Sequence, residues 1–225
     1  MHIEPGVVDG AKMVFAYGTA AAAAAYSVKL ITADLARSNI AAFAARTVLA
    51  TVGVFVFFEL LPHFAVGISE VHLILGTTLF LLLGAAPSSI GLALGLLVQG
   101  MFFSPTDLPM FFVNVTTLLV PLFAIDALAR RVIPQDRAYV DLAYSDVLKM
   151  SAAYQGGVVA WVAFWAFYGQ GFGAANLSAV GTFGAAYMMV VLIEPIADLA
   201  VLAGAKTLRD GGLRGLFTQR LYNAA

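Results

Sequence analysis

The chain of 225 residues contains no cysteine. Without thiols it can form neither a disulfide framework nor a thiolate metal site, so any metal ligands must be nitrogen or oxygen atoms. Charged residues are also scarce, at 11% of the sequence, and the formal net charge is -1. Binding to nucleic acid needs a clustered basic surface, so this composition excludes nucleic acid as a partner.

Hydrophobic residues, in contrast, make up 61% of the chain, against roughly 45 to 50% in ordinary soluble domains. They occur in blocks long enough to cross a hydrocarbon core, which takes about 20 residues of helix. The sequence therefore predicts an all-α integral membrane protein of the cytoplasmic (inner) membrane, surrounded by membrane lipid.

Seven apolar stretches predict a bundle of about seven transmembrane helices in a single domain, residues 1–225. Their approximate bounds are Ala11–Ile31, Ala41–Leu61, Val71–Ala86, Ile90–Phe103, Val113–Ala129, Ala152–Tyr168 and Val180–Leu202. The third and fourth stretches are short and are separated by Pro87–Ser89, a turn signal. They predict a tight helical hairpin whose members need not span the bilayer fully.

The distribution of Lys and Arg predicts the orientation of the bundle. Eleven of the 12 basic residues lie in loops, or at helix ends beside them, on one predicted side, which leaves only Lys12 on the other. By the positive-inside rule, the N-terminus lies outside and the C-terminus in the cytoplasm. The cytoplasmic surface then includes the loop 130–149 and the tail 203–225. The loop is either a docking surface for a partner or a solvated connector.

Small residues at four-residue spacing predict close helix contacts, because helices in lipid associate by packing. Ala16, Ala20 and Ala24 share one face of the first helix, which contacts either a partner subunit or the rest of the bundle. For Gly91 and Gly95 in the fourth helix, packing within the bundle is the favoured interpretation.

All three histidines, His2, His63 and His72, fall on the predicted outer side. A polar side chain in or beside a membrane helix is costly and is therefore a candidate for function. We expect His72 one residue into the third apolar helix. His63 follows a proline in a loop, and we interpret it as an interfacial loop residue.

His2 is the most informative of these residues. The opening of the chain lacks the basic region and cleavage site of a signal peptide, so we expect Met1 to be the mature N-terminus. Residues 1–10 then form a metal-binding segment that offers the α-amine of Met1, the deprotonated amide of His2 and its imidazole. An imidazole from His72 would complete four nitrogens, an array suited to nickel or copper and possible for cobalt.

Several features of the sequence resemble the CbiM/NikM family, the substrate-binding membrane components of energy-coupling factor (ECF) transporters for cobalt and nickel. They are the Met-His-Ile opening, the spacing of Ser69 and His72, the Pro/Ser turn at 87–89, and the stretch Asn114–Pro121. The chain departs from the family pattern after Ile3, and at Glu70 and Val71, where small or polar residues are commoner. It therefore looks like a divergent branch.

The resemblance implies that the N-terminus folds back into the bundle and that Met1, His2 and His72 bind cobalt or nickel as the transported substrate. It also implies a transmembrane coupling protein and cytoplasmic ATPase subunits as partners. The chain itself has no Gly-rich phosphate-binding motif, so other subunits must supply the energy. We expect Glu70, Asn114 or Gln99 to contact the metal ligands and orient the imidazoles.

Two other classes of protein remain open. One is a structural membrane subunit that keeps the fold without transport. The other is a membrane-embedded enzyme, whose candidate residues would be the histidines together with Glu59, Glu70, Glu194 and Asp198. No nucleophile, base and orienting group occur at a recognisable spacing, so we expect the protein not to be an enzyme.

Overall fold

The structure, a computed structural model, describes residues 2–209 and 214–224. Most of these residues are helical. The helices, in chain order, are α1 (Met13–Leu35), α2 (Ile40–Phe55), α3 (Gly76–Leu83), α4 (Ala85–Phe102), α5 (Phe111–Val132), α6 (Tyr144–Gln170), α7 (Ala174–Thr207) and α8 (Gln219–Tyr222). A π-helical turn, Val56–Leu60, continues α2, and a 3-10 turn, Gly10–Lys12, precedes α1.

Five of the described segments are long and apolar enough to cross a membrane, which agrees with a multi-pass membrane protein. They are Gly10–Leu35, Ile40–Leu60, Ala85–Phe102, Pro105–Val132 and Ala174–Thr207. Helix α6 has 27 residues and is also long enough, although it is not among these five. Helix α3 has only 8 residues, about 12 Å at the usual rise. The third predicted stretch is therefore too short to be a span of its own.

The turn between α3 and α4 lies at Gly84, and its prediction at Pro87–Ser89 was wrong. Gly84 has a φ of 89°, which a glycine adopts without steric cost. Pro87 lies instead in the first turn of α4. Proline is tolerated there, because the amides of a first helical turn have no partner within the helix.

An antiparallel pair of strands, β1 (Phe64–Val66) and β2 (Ser69–Val71), precedes α3. A helix beginning at Val71 was therefore a wrong prediction, and His72 lies in the irregular segment between β2 and α3. The physical reason is that β2 finds its hydrogen-bond partners in other parts of the chain, so this apolar stretch does not have to satisfy its backbone as a helix.

Close contacts within the bundle account for most of the small residues. A Cβ atom built on Gly91 would lie 2.4 Å from the Cβ of Ala50 in α2. Gly95 is as tightly packed against the same helix, which confirms the internal interpretation of this pair. On α1, Ala16 and Ala20 are buried within the bundle, whereas Ala24 is exposed.

Polar contacts close the end of the bundle opposite the strands. The guanidinium of Arg46, on α2, is buried and donates to Asp34 at the end of α1 and to the carbonyl of Leu83. The amide of Thr218 donates to the carbonyl of Leu82 at 2.7 Å, and Leu221 is buried. The described tail segment 214–224 therefore packs against the end of α3.

We predict that Gly91→Ala destabilises the protein by about 1 to 3 kcal/mol, because the added methyl group overlaps α2. Thermal unfolding of the purified chain in detergent measures the loss. Gly18→Ala in α1 is the matched control, since a Cβ there meets nothing within 4 Å. An equal melting temperature for Gly91→Ala and the control would contradict the packing described here.

Candidate metal centre

The N-terminal segment pairs with β2 as an additional short strand. Ile3 forms an antiparallel bridge with Ser69. The carbonyl of His2 accepts hydrogen bonds from the amide of Glu70 and from the hydroxyl of Ser69, each at 2.9 Å. These bonds fix the backbone of residues 2 and 3 against the strand that leads directly to His72.

Side chains and backbone of the bundle enclose the same segment. The buried amide of Ile3 donates to the Oδ1 atom of Asn114 on α5 at 2.8 Å. Val7 and Val8 are buried, and Gly169 at the end of α6 lets the carbonyl of Val7 approach so closely that a Cβ would overlap it. The buried residues of the N-terminal segment, His2, Ile3, Val7 and Val8, therefore lie inside the bundle, whereas Pro5, Gly6, Asp9 and Gly10 are exposed.

Two imidazoles and one carboxylate meet at this position. Nδ1 of His2 lies 2.7 Å from Oε2 of Glu70, and Nε2 of His72 lies 2.8 Å from the same oxygen. Both histidines are almost fully buried, with exposed fractions of 2% and 1%. One potential ligand atom from each of the three residues lies within 4.8 Å of the others, which is compact enough for a single ion.

The protonation states suit cation binding. Burial lowers the pKa of both imidazoles, although their hydrogen bonds to Glu70 act in the opposite direction. Burial also opposes ionisation of Glu70, but the hydrogen bonds from His2 and His72 outweigh it and lower the pKa of this carboxyl below its usual range. At neutral pH the cluster therefore holds two neutral imidazoles and a carboxylate.

The hydrogen-bond pattern also shows where the ring protons lie. An ionised carboxylate only accepts, so the imidazole nitrogens that face Glu70 carry the protons. The outer nitrogens, Nε2 of His2 and Nδ1 of His72, are buried and have no hydrogen-bond partner within residues 2–209 and 214–224. A cation that replaces the carboxylate oxygen would move each proton to an outer nitrogen, a change of tautomer that needs no net uptake of protons.

The predicted supporting residues take different positions. Glu70 contacts both imidazoles, whereas Asn114 holds the backbone of Ile3 and not a histidine ring. The side-chain amide of Gln99 donates to the carboxylate of Glu59 at 3.4 Å rather than to an imidazole. The α-amine of Met1, another predicted ligand, lies outside the described residues.

Two residues near the cluster were missed or underestimated from the sequence. The ring of His63 stacks on that of His72, with centroids 4.9 Å apart and planes 13° apart. Asp107, in the 3-10 turn before α5, has a carboxylate oxygen 3.8 Å from Nδ1 of His2. Neither residue belongs to a motif, so only the folding of distant segments onto one another reveals these contacts.

The carboxylates of the enzyme alternative have structural partners in the bundle. Glu194 accepts a hydrogen bond from the amide of Ile74, and Asp198 accepts one from the hydroxyl of Thr78 at 2.6 Å. Glu59 lies beside Gln99. These contacts tie α7 and α2 to neighbouring elements.

The fold and this cluster define a class, a helical membrane protein with a buried histidine and carboxylate centre near one end of the bundle. Residues 2–210 match the family model CbiM, described as the cobalt uptake substrate-specific transmembrane region, and the chain belongs to this family. No curated protein and no solved structure matches the chain. The protein is thus a multi-pass membrane component for cobalt uptake.

We predict that Asn114→Ala loosens the N-terminal segment, because the buried amide of Ile3 loses its acceptor. Hydrogen exchange of the peptide that contains Ile3 should become faster. Gln99→Ala is the control, since the side chain of Gln99 donates to Glu59, and this variant should leave that exchange unchanged. Equal exchange rates in Asn114→Ala and the wild type would contradict the anchoring role.

Proposed function

We propose that the chain captures a divalent cobalt ion through His2 and His72, with the α-amine of Met1 as a further ligand, and presents it for uptake. The observation that carries this proposal is that two buried imidazoles, 70 positions apart in the sequence, face one carboxylate oxygen. The carboxylate of Glu70 is partly withdrawn from solvent, with 23% of its side chain exposed, and a cation held beside it would compensate its charge. Membership of a cobalt-uptake family supports the same conclusion.

The ligand chemistry supports a transition metal over magnesium or calcium. Imidazole and amine nitrogens suit cobalt, nickel and copper, whereas the alkaline-earth ions prefer a shell made of oxygens. We propose cobalt as the substrate, with nickel as the alternative for the same nitrogen ligands. Before the ion binds, the carboxylate of Glu70 accepts hydrogen bonds from both rings, and we assign it the role of holding them in place for the ion.

We further propose that uptake is driven by ATP through an ECF-type assembly, with a transmembrane coupling protein and cytoplasmic ATPase subunits. The distribution of basic residues supports the orientation that this requires. Arg46, Arg130 and Arg220 line one cavity of about 530 Å³ at the end of the bundle opposite the histidines. By the positive-inside rule that end faces the cytoplasm, and the metal centre faces outward.

Removing one imidazole should remove the metal. We predict that His2→Ala purified after growth with cobalt contains almost none, whereas the wild type holds close to one ion per chain, since water cannot replace an imidazole ligand of a compact site without a large loss of affinity. Elemental analysis measures both. His63→Ala is the matched control, because His63 stacks on the site without facing Glu70. Full cobalt content in His2→Ala would contradict the proposal.

A second prediction concerns the α-amine of Met1. Adding one residue before Met1 converts this amine into a peptide amide, which is a poor ligand unless it is deprotonated. We expect the extended chain to lose high-affinity cobalt binding in a titration followed by calorimetry. A chain extended by one residue after Ala225 is the control. Wild-type affinity in the N-terminally extended chain would show that the amine is not a ligand.

A further inference from the structure

The segment that presents His72 has an unusual backbone. Leu75, three residues after His72, has a φ of 53° and is the only residue other than glycine with a positive φ in the described chain. Residues other than glycine rarely adopt this backbone conformation, so surrounding contacts must maintain it. Helix α3 begins at the next residue, Gly76. The side chain of Leu75, its N-cap residue, forms no hydrogen bond with the helix.

A carboxylate from α7 holds the backbone at this position. Glu194 is fully buried and accepts hydrogen bonds from the amides of Ile74 and Leu75. These are the second and third residues after His72. Glu194 therefore fixes the backbone between His72 and the start of α3.

Helix α6 holds this carboxylate in place. The second oxygen of Glu194 accepts a hydrogen bond from the amide of Gln155, and the carbonyl oxygen of Gln155 accepts one from the hydroxyl of Tyr187 at 2.5 Å. All three residues are fully buried. A fully satisfied polar chain inside a bundle rigidifies the elements that it joins.

The same segment has no freedom to shift toward α6. A Cβ atom on Gly76 would lie 2.1 Å from the ring of Tyr154, so the backbone after Leu75 is in direct contact with that ring. The backbone that follows His72 is thus held by Glu194 on one side and by Tyr154 on another. On the side before His72, strand β2 is fixed by the N-terminal segment.

We propose that Glu194 is a positioning residue for the metal site: it fixes the backbone that presents His72, and so makes the affinity of the site depend on the position of α7. This inference rests on the proposed metal-binding function. A movement of α7 that withdraws Glu194 would free the amides of Ile74 and Leu75 and shift His72 relative to His2. The affinity for the ion would then fall without any change in its ligands.

The test uses Glu194→Gln in the full-length chain. The amide group of the new side chain would face the amide of Gln155, so two donors would oppose each other. We expect the affinity for Co²⁺ to fall by about tenfold or more, as for other residues that orient metal ligands. The ligand-field absorption bands of bound Co²⁺ should shift as well, which a loss of stability alone would not produce.

The double variant Glu194→Gln with Gln155→Glu exchanges donor and acceptor and restores the complementary pattern. We expect it to recover most of the lost affinity. Asp198→Asn is the matched control, because Asp198 is a buried carboxylate one turn along α7 that contacts Thr78, inside α3, and not the amides of Ile74 and Leu75. It should retain the wild-type affinity and spectrum.

Hydrogen exchange at Ile74 and Leu75, measured without metal, separates the two proposals. Faster exchange in Glu194→Gln, but not in Asp198→Asn, supports the positioning role whether or not the wild type binds cobalt. A wild type that binds no cobalt would refute the proposed function instead. The positioning role is overturned if exchange at Ile74 and Leu75 is unchanged. It is also overturned if Glu194→Gln binds Co²⁺ with wild-type affinity and spectrum, or if the double variant binds no better than the single one.

Discussion

The pairing of the N-terminal backbone with strand β2 is the interaction on which the candidate site depends. Residues 2 and 3 have no helix to satisfy their polar backbone groups, and the interior of a membrane bundle offers no bulk water. Strand β2 and Asn114 satisfy the carbonyl of His2 and the amide of Ile3. Only with these bonds formed can the imidazole of His2 be buried beside that of His72.

A short sheet within a helical bundle also explains why the third predicted span is incomplete. Strands β1 and β2 and the segment after them use residues that would otherwise lengthen α3 to a full crossing. The remaining short helix depends on its neighbours, because Glu194 accepts a hydrogen bond from the amide of Ile74 just before the helix and Arg46 donates one to the carbonyl of Leu83 at its end. Side chains from α7 and α2 thus hold both ends of this short helix.

Ionisable side chains that the bundle withdraws from solvent have specific partners, as the cost of burying an ion in an apolar bundle requires. Arg46 pairs with Asp34, and Glu70 accepts from two imidazoles. The centre formed by Glu70, His2 and His72 differs from the other clusters in one respect. Its nitrogen and oxygen atoms converge on one point, where a cation can replace hydrogen bonds. The remaining charges stabilise the positions of helices.

The sequence by itself determined the membrane class and the positions of most helices, and it predicted His2 and His72 as metal ligands, because apolar length and the chemistry of a terminal histidine are local properties. It also pointed to Glu70 and Asn114, but their roles depended on which groups the fold places beside them. The strand pair, the turn at Gly84, the stacking of His63 and the contact of Glu194 with the backbone after His72 were decided by tertiary structure alone. In each case a backbone or ring finds its partner tens of residues away or across a loop, and local pattern carries no information on such pairings.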